Sequence, residues 1–196
     1  RPGGSGERPR PAPTRSTHAL SRGASHLVMR AGPLAHRPAH ADQLHVDLWF
    51  GGQPVAVDPG SYRYTAPAPW GNALAGEDVH NLPRKPGAPQ ATRAGRFFWS
   101  RWSEARLGPR LDGAVVSALS ASMELADGST LRRVVAVSDG VVVVVDDTGG
   151  PGNEVRWNVL GADAVIGVQL EATSMTKGAA EIFAYGTAVK FGGPAE

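Results

Sequence analysis

The chain has 196 residues, of which 41% are hydrophobic and none is cysteine, so it can bury the core of a folded domain. The lack of cysteine excludes disulfides, thiolate metal sites and cysteine nucleophiles. The formal net charge is only +2, and no apolar run in the sequence approaches the roughly 20 residues that cross a bilayer as a helix.

The first 24 residues are rich in arginine, proline and glycine, and the chain opens at Arg1 without a methionine. This composition is typical of a linker, so we expect residues 1–24 to be an extension from a missing N-terminal domain. Residues 1–37 carry seven arginines and one glutamate, a net charge of +6 that leaves −4 for the rest. Such a stretch suits an anionic polymer, but the codon bias of a G+C-rich genome gives the same composition and is the interpretation we favour.

Short alternating or β-branched runs follow, and helical periodicity is absent from them. A first strand is predicted at Ser25–Arg30, and hydrophobic side chains alternate along 44–50. Gly51-Gly52 then supplies a hairpin turn into 53–57, because glycine adopts positive φ without strain. Residues 59–90 are rich in proline, glycine and alanine and predict long loops.

Further strands are predicted in the second half of the chain. They cover 96–107, 114–125, 131–137, 141–146, 154–160, 164–171, 180–185 and 187–191. The unbroken valines of 141–145 predict a strand buried on both faces. Regular strand spacing, with turn residues such as Asp127-Gly128 and no helices between, predicts an all-β fold. We therefore assign residues 25–196 to one antiparallel β-sandwich with few or no helices.

Histidines are concentrated in one segment. Five of the six lie at or before His45, and His36-Arg-Pro-Ala-His40-Ala-Asp42-Gln-Leu-His45 is dense in groups that bind metals or transfer protons. Histidines that are merely solvated produce the same pattern. His45 and Asp47 alternate onto one strand face that we expect to be solvated.

An ordered set of motifs connects this segment with the loops that follow it. It reads His40-Ala-Asp42-Gln-Leu-His-Val-Asp-Leu-Trp-Phe-Gly-Gly-Gln-Pro-Val-Ala-Val-Asp58-Pro-Gly60-Ser-Tyr62-Arg-Tyr64, then Trp70, then His80-Asn81. The set, spread over about residues 25–81, resembles the heparinase II/III-like family of polysaccharide lyases. The resemblance implies that the chain is the C-terminal β-sandwich (supersandwich-like) module of such an enzyme.

The resemblance also implies a zinc site at His40, Asp58 and His80. Two imidazoles and a carboxylate suit zinc, with water or a fourth group completing a tetrahedron. The 59–79 loop has too few apolar residues to pack firmly against the sheet. A structural metal would hold it there instead. The alternative is that Asp58 only shapes the Asp-Pro-Gly turn and His80 only caps a loop.

The family's reaction is β-elimination on uronate-containing polysaccharide, in which a base removes the proton next to a neutralised carboxylate. The resemblance places the main catalytic groups on an α/α-toroid preceding this module, so the isolated chain is expected to be inactive. Tyr62, Arg63, Tyr64 and Trp70 would bind the substrate, because aromatic faces stack on sugars and guanidinium pairs with carboxylate. Packing within the turn is the other interpretation of these residues.

Two positions depart from the family pattern. Several members carry a histidine two residues before His40, where this chain has Pro38, and His36 is the one candidate to replace it. No other catalytic residue is assigned. Leu82-Pro83 follows His80-Asn81 in place of the usual small β-branched pair. Both departures argue against lyase activity more than against the fold or the metal site.

Three classes of function compete. The first is the lyase module, with an acidic polysaccharide as substrate, no nucleic-acid partner, and a periplasmic or extracellular bacterial location implied by the family. The second is a non-catalytic glycan-binding or structural β-sandwich. The third is a metal enzyme of the cupin type, which the long loop before His80 disfavours. The sequence leaves the glycan and the oligomeric state open.

Overall fold

The computed structural model describes residues 16–34, 36–150, 153–157, 169–174 and 180–185. The chain divides into two compact units, Arg1–Asn158 and Val159–Glu196. Among the described residues the only helices are two 3-10 turns, Ala73–Ala75 and Glu77–Val79. No helix in these ranges is long and apolar enough to cross a membrane.

The first sheet is an antiparallel meander of four strands in the order β1-β2-β3-β4. Its strands are β1 (Thr17–Arg22), β2 (Ser25–Arg30), β3 (Val46–Phe50) and β4 (Gln53–Ala56). The turn between β3 and β4 is made by Gly51 and Gly52, both at positive φ, which confirms the predicted two-glycine hairpin.

A strand lies within residues 1–24, which were predicted to be an extension. β1 pairs along its whole length with β2, so 17–22 belongs to the sheet. Its sequence signal is weak because Leu20 is the only large apolar side chain that it buries. The predicted strand 44–50 begins later than expected, at Val46, because Leu44 has a φ of 67° that a strand does not accommodate.

The second sheet is also an antiparallel meander, in the order β11-β10-β9-β8. Its strands are β8 (Ala105–Asp112), β9 (Ser117–Glu124), β10 (Thr130–Ser138) and β11 (Val141–Asp147). Burial alternates along β9 and β10, as expected for strands with one face on a core and one face in solvent.

The inner faces of the two sheets form one hydrophobic core. It contains Leu20, Leu27 and Met29 from the first sheet and Leu119, Met123, Leu131, Val135 and Val137 from the second. Two antiparallel sheets that share a core between them make a β-sandwich. The predicted all-β antiparallel sandwich is thus confirmed.

Two predictions about individual strands are wrong. Residues 96–107 do not form one strand: a hairpin of β6 (Ala91–Gly95) and β7 (Phe98–Trp102) ends there, and β8 begins at Ala105. The valine run is not buried on both faces, since Val141, Val143 and Val145 are 54%, 48% and 42% exposed. One face of β11 lies on the core and the other faces solvent, so Val142 and Val144 pack against the core and the other three valines do not.

The remaining elements are short. β5 (Pro83–Arg84) pairs with β12 (Glu154–Val155) and holds the end of the 59–90 loop region. In the second unit β13 (Gln169–Ser174) pairs with β14 (Ala180–Tyr185). The predicted strand at 180–185 is confirmed, whereas 158–160, 164–168 and 187–191 lie outside the described residues.

A buried ion pair joins the second sheet to the loops. Arg133 is 0% exposed, and its guanidinium donates to both carboxylate oxygens of Asp146 at 2.6 and 2.7 Å. The same guanidinium donates from Nη1 to the carbonyls of Leu44 at 2.8 Å and Asn81 at 2.6 Å, and it lies 5.3 Å above the ring of Trp157. A charge this deeply buried is tolerated because Asp146 balances it and each of the three guanidinium nitrogens donates to an oxygen.

We expect Arg133→Met to lower the free energy of unfolding by about 3–5 kcal/mol, because it leaves the Asp146 carboxylate buried without its partner. Arg132→Met is the matched control, since Arg132 is on the same strand, 64% exposed and paired with Asp147 at 3.5 Å. That control should cost less than about 1 kcal/mol. Urea denaturation measures both, and equal losses would contradict the role given to Arg133.

Candidate metal centre

Three loop segments bring a cluster of metal-ligating side chains together. His40 precedes β3, Asp58 follows β4 and His80 follows the second 3-10 turn. Ligand atoms of these three residues and of Asp42 all lie within 4.8 Å of one another. The structure therefore places the three residues of the predicted zinc site side by side and adds one carboxylate to them.

The imidazole of His80 is held in one orientation. Its side chain is 0% exposed, and Nδ1 lies 2.6 Å from the carbonyl oxygen of Gly76. A carbonyl oxygen only accepts, so Nδ1 carries a hydrogen and donates it. In the neutral ring Nε2 then keeps its lone pair. That atom lies 3.4 Å from Oδ2 of Asp58 and 3.4 Å from Nδ1 of His40.

The His40 imidazole lies next to the same Nε2 atom of His80. Its Nε2 lies 3.2 Å from the hydroxyl of Ser61, and its ring centroid is 5.4 Å from that of His80. When Nε2–H donates to Ser61, the Nδ1 lone pair is directed at His80. Burial, and then the positive charge of a protonated His80, lower the pKa of His40. The neutral imidazole is the form that binds a metal.

Asp58 is held by its backbone as well as by its side chain. Its Oδ1 accepts from the Gly60 N–H at 2.7 Å, and its own N–H donates to Oδ1 of Asp47 at 2.7 Å. When the His80 ring is protonated, a hydrogen bond from its Nε2–H is the main cause that holds the pKa of the Asp58 carboxyl well below its usual range, although burial acts in the opposite direction. The carboxylate is therefore ionised at neutral pH.

The donor set fits a cation. Neutral His80 presents a lone pair to an ionised carboxylate oxygen at 3.4 Å, an arrangement that is repulsive unless a proton or a metal ion lies between the two atoms. Two imidazole nitrogens and one carboxylate oxygen are a common zinc donor set. The Nδ1–H of His80 bound to a carbonyl is also the usual support for a metal-ligating histidine.

Asp42 is the fourth member of the cluster, and the sequence interpretation did not assign it to the site. Its Oδ2 is paired with the guanidinium of Arg30 at 2.8 Å, so part of its charge is already neutralised. The spacing of His40 and Asp42 in the sequence could have indicated that Asp42 belongs to the cluster. What the sequence lacked was the position of Arg30, which comes from β2.

The expectation that His45 and Asp47 line a solvated face is wrong. His45 is 0% exposed, and its ring packs edge-on against His80 with centroids 5.3 Å apart. Its Nδ1 accepts from the Asn81 N–H at 2.9 Å, so Nε2–H donates to Oδ1 of Asp47 at 3.1 Å. That same oxygen accepts from the N–H of Asp58. The pair thus ties the Asp58 and His80-Asn81 segments to β3.

The predicted substrate-binding residues lie on the loop that starts at Asp58. Tyr62, Tyr64 and Trp70 are 67%, 56% and 57% exposed, and Arg63 lies 5.5 Å above the ring of Tyr62. They are open to solvent and do not form a packed turn. His36 is exposed, Pro38 is buried, and neither belongs to the metal cluster found among the described residues.

A protein-family comparison covers the segments that form this cluster. The model of the family "Heparinase II/III-like, C-terminal" matches residues 6–187 of the chain. The chain belongs to the heparinase II/III-like C-terminal family. The predicted resemblance is thereby confirmed for nearly the whole heparinase II/III-like module, including the segments that carry His40, Asp58 and His80.

Two individual proteins are similar to parts of the chain. A solved heparinase III gene product with methylated lysines is 21% identical, with a TM-score of 0.48 over 66% of this chain and 20% of that one. A UPF0145 protein of Psychrobacter arcticus is 53% identical over 36 residues, which are 18% of this chain and 23% of that protein. The matched regions therefore cover only about a fifth of the length of each of these two proteins.

The lowered pKa values predict that acid destabilises the metal-free protein. The unfolded His40 takes up a proton near pH 6.5 and the folded one only at lower pH, so stability falls as the pH drops through about 6.5. The Asp58 carboxylate adds a second loss below about pH 4, because its folded pKa is also depressed.

Urea denaturation in chelator across this range measures the effect. His40→Gln should flatten the loss between about pH 7 and pH 5, since it removes the group whose pKa differs between the two states. An unchanged slope in that variant would assign the pH dependence to another group. His26→Gln, which alters a histidine outside the cluster, is the control.

Proposed function

We propose that the chain is the C-terminal module of a polysaccharide lyase that cleaves uronate-containing polysaccharide by β-elimination, and that it binds zinc through His40, Asp58 and His80. Family membership supports the first part. The observation that carries the second is the convergence of these ligand atoms within 4.8 Å. The family also favours a periplasmic or extracellular location.

The proposed zinc is structural. Its three ligands come from the loops after β2 and β4 and from the turn before β5, so a bound ion would fasten three segments together. Residues 59–72 bury few apolar side chains, and a metal supplies the stabilisation that a core would otherwise give. Water or the free oxygen of Asp42 would complete the tetrahedron.

The proposed contribution of this module to the reaction is substrate binding. Exposed aromatic rings at Tyr62, Tyr64 and Trp70 stack on sugar faces, and the Arg63 guanidinium pairs with a uronate carboxylate. The groups that abstract the proton and protonate the leaving oxygen would come from a helical domain that precedes the module. His36 stays the only candidate from the module, and the isolated chain would be inactive.

A second candidate is a non-catalytic glycan-binding module. The observation in its favour is Pro38, which is buried and stands where several family members carry a histidine. Joining the module to its helical domain separates the two functions. Accumulation of unsaturated uronate products from an acidic polysaccharide supports the lyase, and binding without any product supports the non-catalytic module.

Metal analysis of the purified chain is the first test of the zinc site. We expect about one equivalent of zinc, which the double variant His40→Ala, His80→Ala should lose together with a lower melting temperature. The matched control is His18→Ala, His26→Ala, which removes two histidines outside the cluster and should keep the metal. Absence of metal from the wild type after exposure to zinc would refute the site.

Asp47 should increase the affinity for zinc without being a ligand of the metal. Asp47→Ala removes the acceptor shared by His45 and the Asp58 N–H, and we expect zinc affinity to fall about 10- to 100-fold. Asp112→Ala, at an exposed aspartate on β8, is the control. Competition with a chromophoric chelator measures both, and equal affinities would contradict the support given by Asp47.

A further inference from the structure

Asn72 joins the β6–β7 hairpin to the loop of residues 59–72, which carries the proposed substrate-binding side chains. This residue is 4% exposed and has a φ of 55°, a conformation that asparagine tolerates better than most residues. Its side-chain amide donates to the carbonyl of Arg96 at 2.8 Å, and its own carbonyl accepts from Arg93 at 2.9 Å. Its N–H donates to the carbonyl of Arg63 at 2.9 Å. The hairpin and the loop are thus held in a fixed relation.

The same hairpin is anchored beside the metal centre. Trp99 is 5% exposed and packs with Ala41 and Ala75 in a small buried cluster. Its indole Nε1 donates to the carbonyl of Ala39 at 3.4 Å. Since Ala39 and Ala41 flank His40, the hairpin lies directly against the segment that presents this ligand.

The tip of the hairpin carries aromatic side chains that the core does not use. Phe97 and Phe98 are 47% and 53% exposed, and the ring of Phe97 meets that of Tyr64 edge-on with centroids 5.6 Å apart. Arg37 lies 6.0 Å above Phe98. The Tyr64–Phe97 contact therefore joins exposed aromatic rings of the hairpin to those of the loop, and exposed apolar surface of this kind is a candidate binding site.

The charge of this surface has one sign. Residues 59–72 and 91–103 contain four arginines and no aspartate or glutamate, although the whole chain has a net charge of only +2. Arg63 and Arg96 are exposed. A ligand that complements the surface must therefore carry repeated negative charges and flat faces that stack on aromatic rings.

We propose that the β6–β7 hairpin is a second part of the glycan-binding surface, in which Arg96, Phe97 and Phe98 bind an acidic polysaccharide next to the subsite at Tyr62, Arg63 and Tyr64. The inference rests on the proposed function and extends it, because nothing in the sequence motif of the family includes this hairpin. The polymer spans loop and hairpin, its carboxylates on the arginines and its sugar faces on the rings.

Binding of the zinc-loaded chain to four uronate polymers tests the proposal: polygalacturonate, alginate, hyaluronan and heparin. Titration calorimetry at low ionic strength identifies the polymer that binds tightest, and dextran is the neutral control. The hairpin variant Arg96→Ala, Phe97→Ala is compared with the loop variant Tyr62→Ala, Arg63→Ala. The matched control is Arg110→Ala, Leu111→Ala, which removes an adjacent arginine and apolar side chain from exposed positions on β8.

We expect the hairpin variant to weaken binding about tenfold or more, as the loop variant does, and the β8 control to change it less than about twofold. Zinc content and melting temperature should stay at wild-type values in the hairpin variant, because neither altered side chain ligates the metal or lies in the core. Added salt should reduce wild-type affinity more than that of the hairpin variant.

Wild-type affinity in the hairpin variant, with binding lost in the loop variant, would overturn the inference and leave the proposed function standing. Failure of the wild type to bind any of the four polymers would overturn both the hairpin and the loop as glycan subsites, whatever the zinc content. Tighter binding to duplex DNA than to every uronate polymer would also overturn it, in favour of a nucleic-acid ligand.

Discussion

The guanidinium of Arg133 joins three parts of the module through hydrogen bonds from one side chain. Through Asp146 it crosslinks the two strands β10 and β11, and through the carbonyls of Leu44 and Asn81 it reaches the segments before β3 and after His80. The Asn81 carbonyl also accepts from the N–H of Val46, so the guanidinium adds a second bond at the segment that follows His80. Among the described residues, Asp146 is the carboxylate paired with this buried charge. The ion pair therefore supports the position of His80 relative to the second sheet.

Around the Arg133–Asp146 pair, hydrogen bonds fix the loops, whereas hydrophobic packing fixes the two sheets. The His45–Asp47 pair fixes the backbone at Asp58 and Asn81, and Asn72 fixes the hairpin against the loop. A proline- and glycine-rich loop cannot bury enough apolar surface to order itself. Directional hydrogen bonds, together with the proposed metal ion, hold the candidate site residues of the loop in place while its aromatic rings stay exposed.

The sequence predicted most of the sandwich and three of the four members of the metal cluster, but it misread residues whose burial depends on distant partners. His45 looks like a surface residue because it alternates with core positions, but the His80-Asn81 segment packs against it and buries it. The valines 141–145 look fully buried because an unbroken apolar run does not reveal that the outer face of the second sheet is open to solvent. The hairpin at 91–102 was hidden because bulges interrupt its register at Arg93, which breaks the period of two.

By itself, the sequence determined the antiparallel all-β class, the two-glycine turn at Gly51-Gly52, the family, and the identity of His40, Asp58 and His80 as candidate ligands. These depend on local periodicity, on φ preferences and on motifs within one stretch of chain. Only the tertiary structure decided that Arg133 and the His45–Asp47 pair support the centre, and that the hairpin adjoins it. Those relations join residues far apart along the chain, and such contacts follow from how strands and loops pack in three dimensions, which no local pattern encodes.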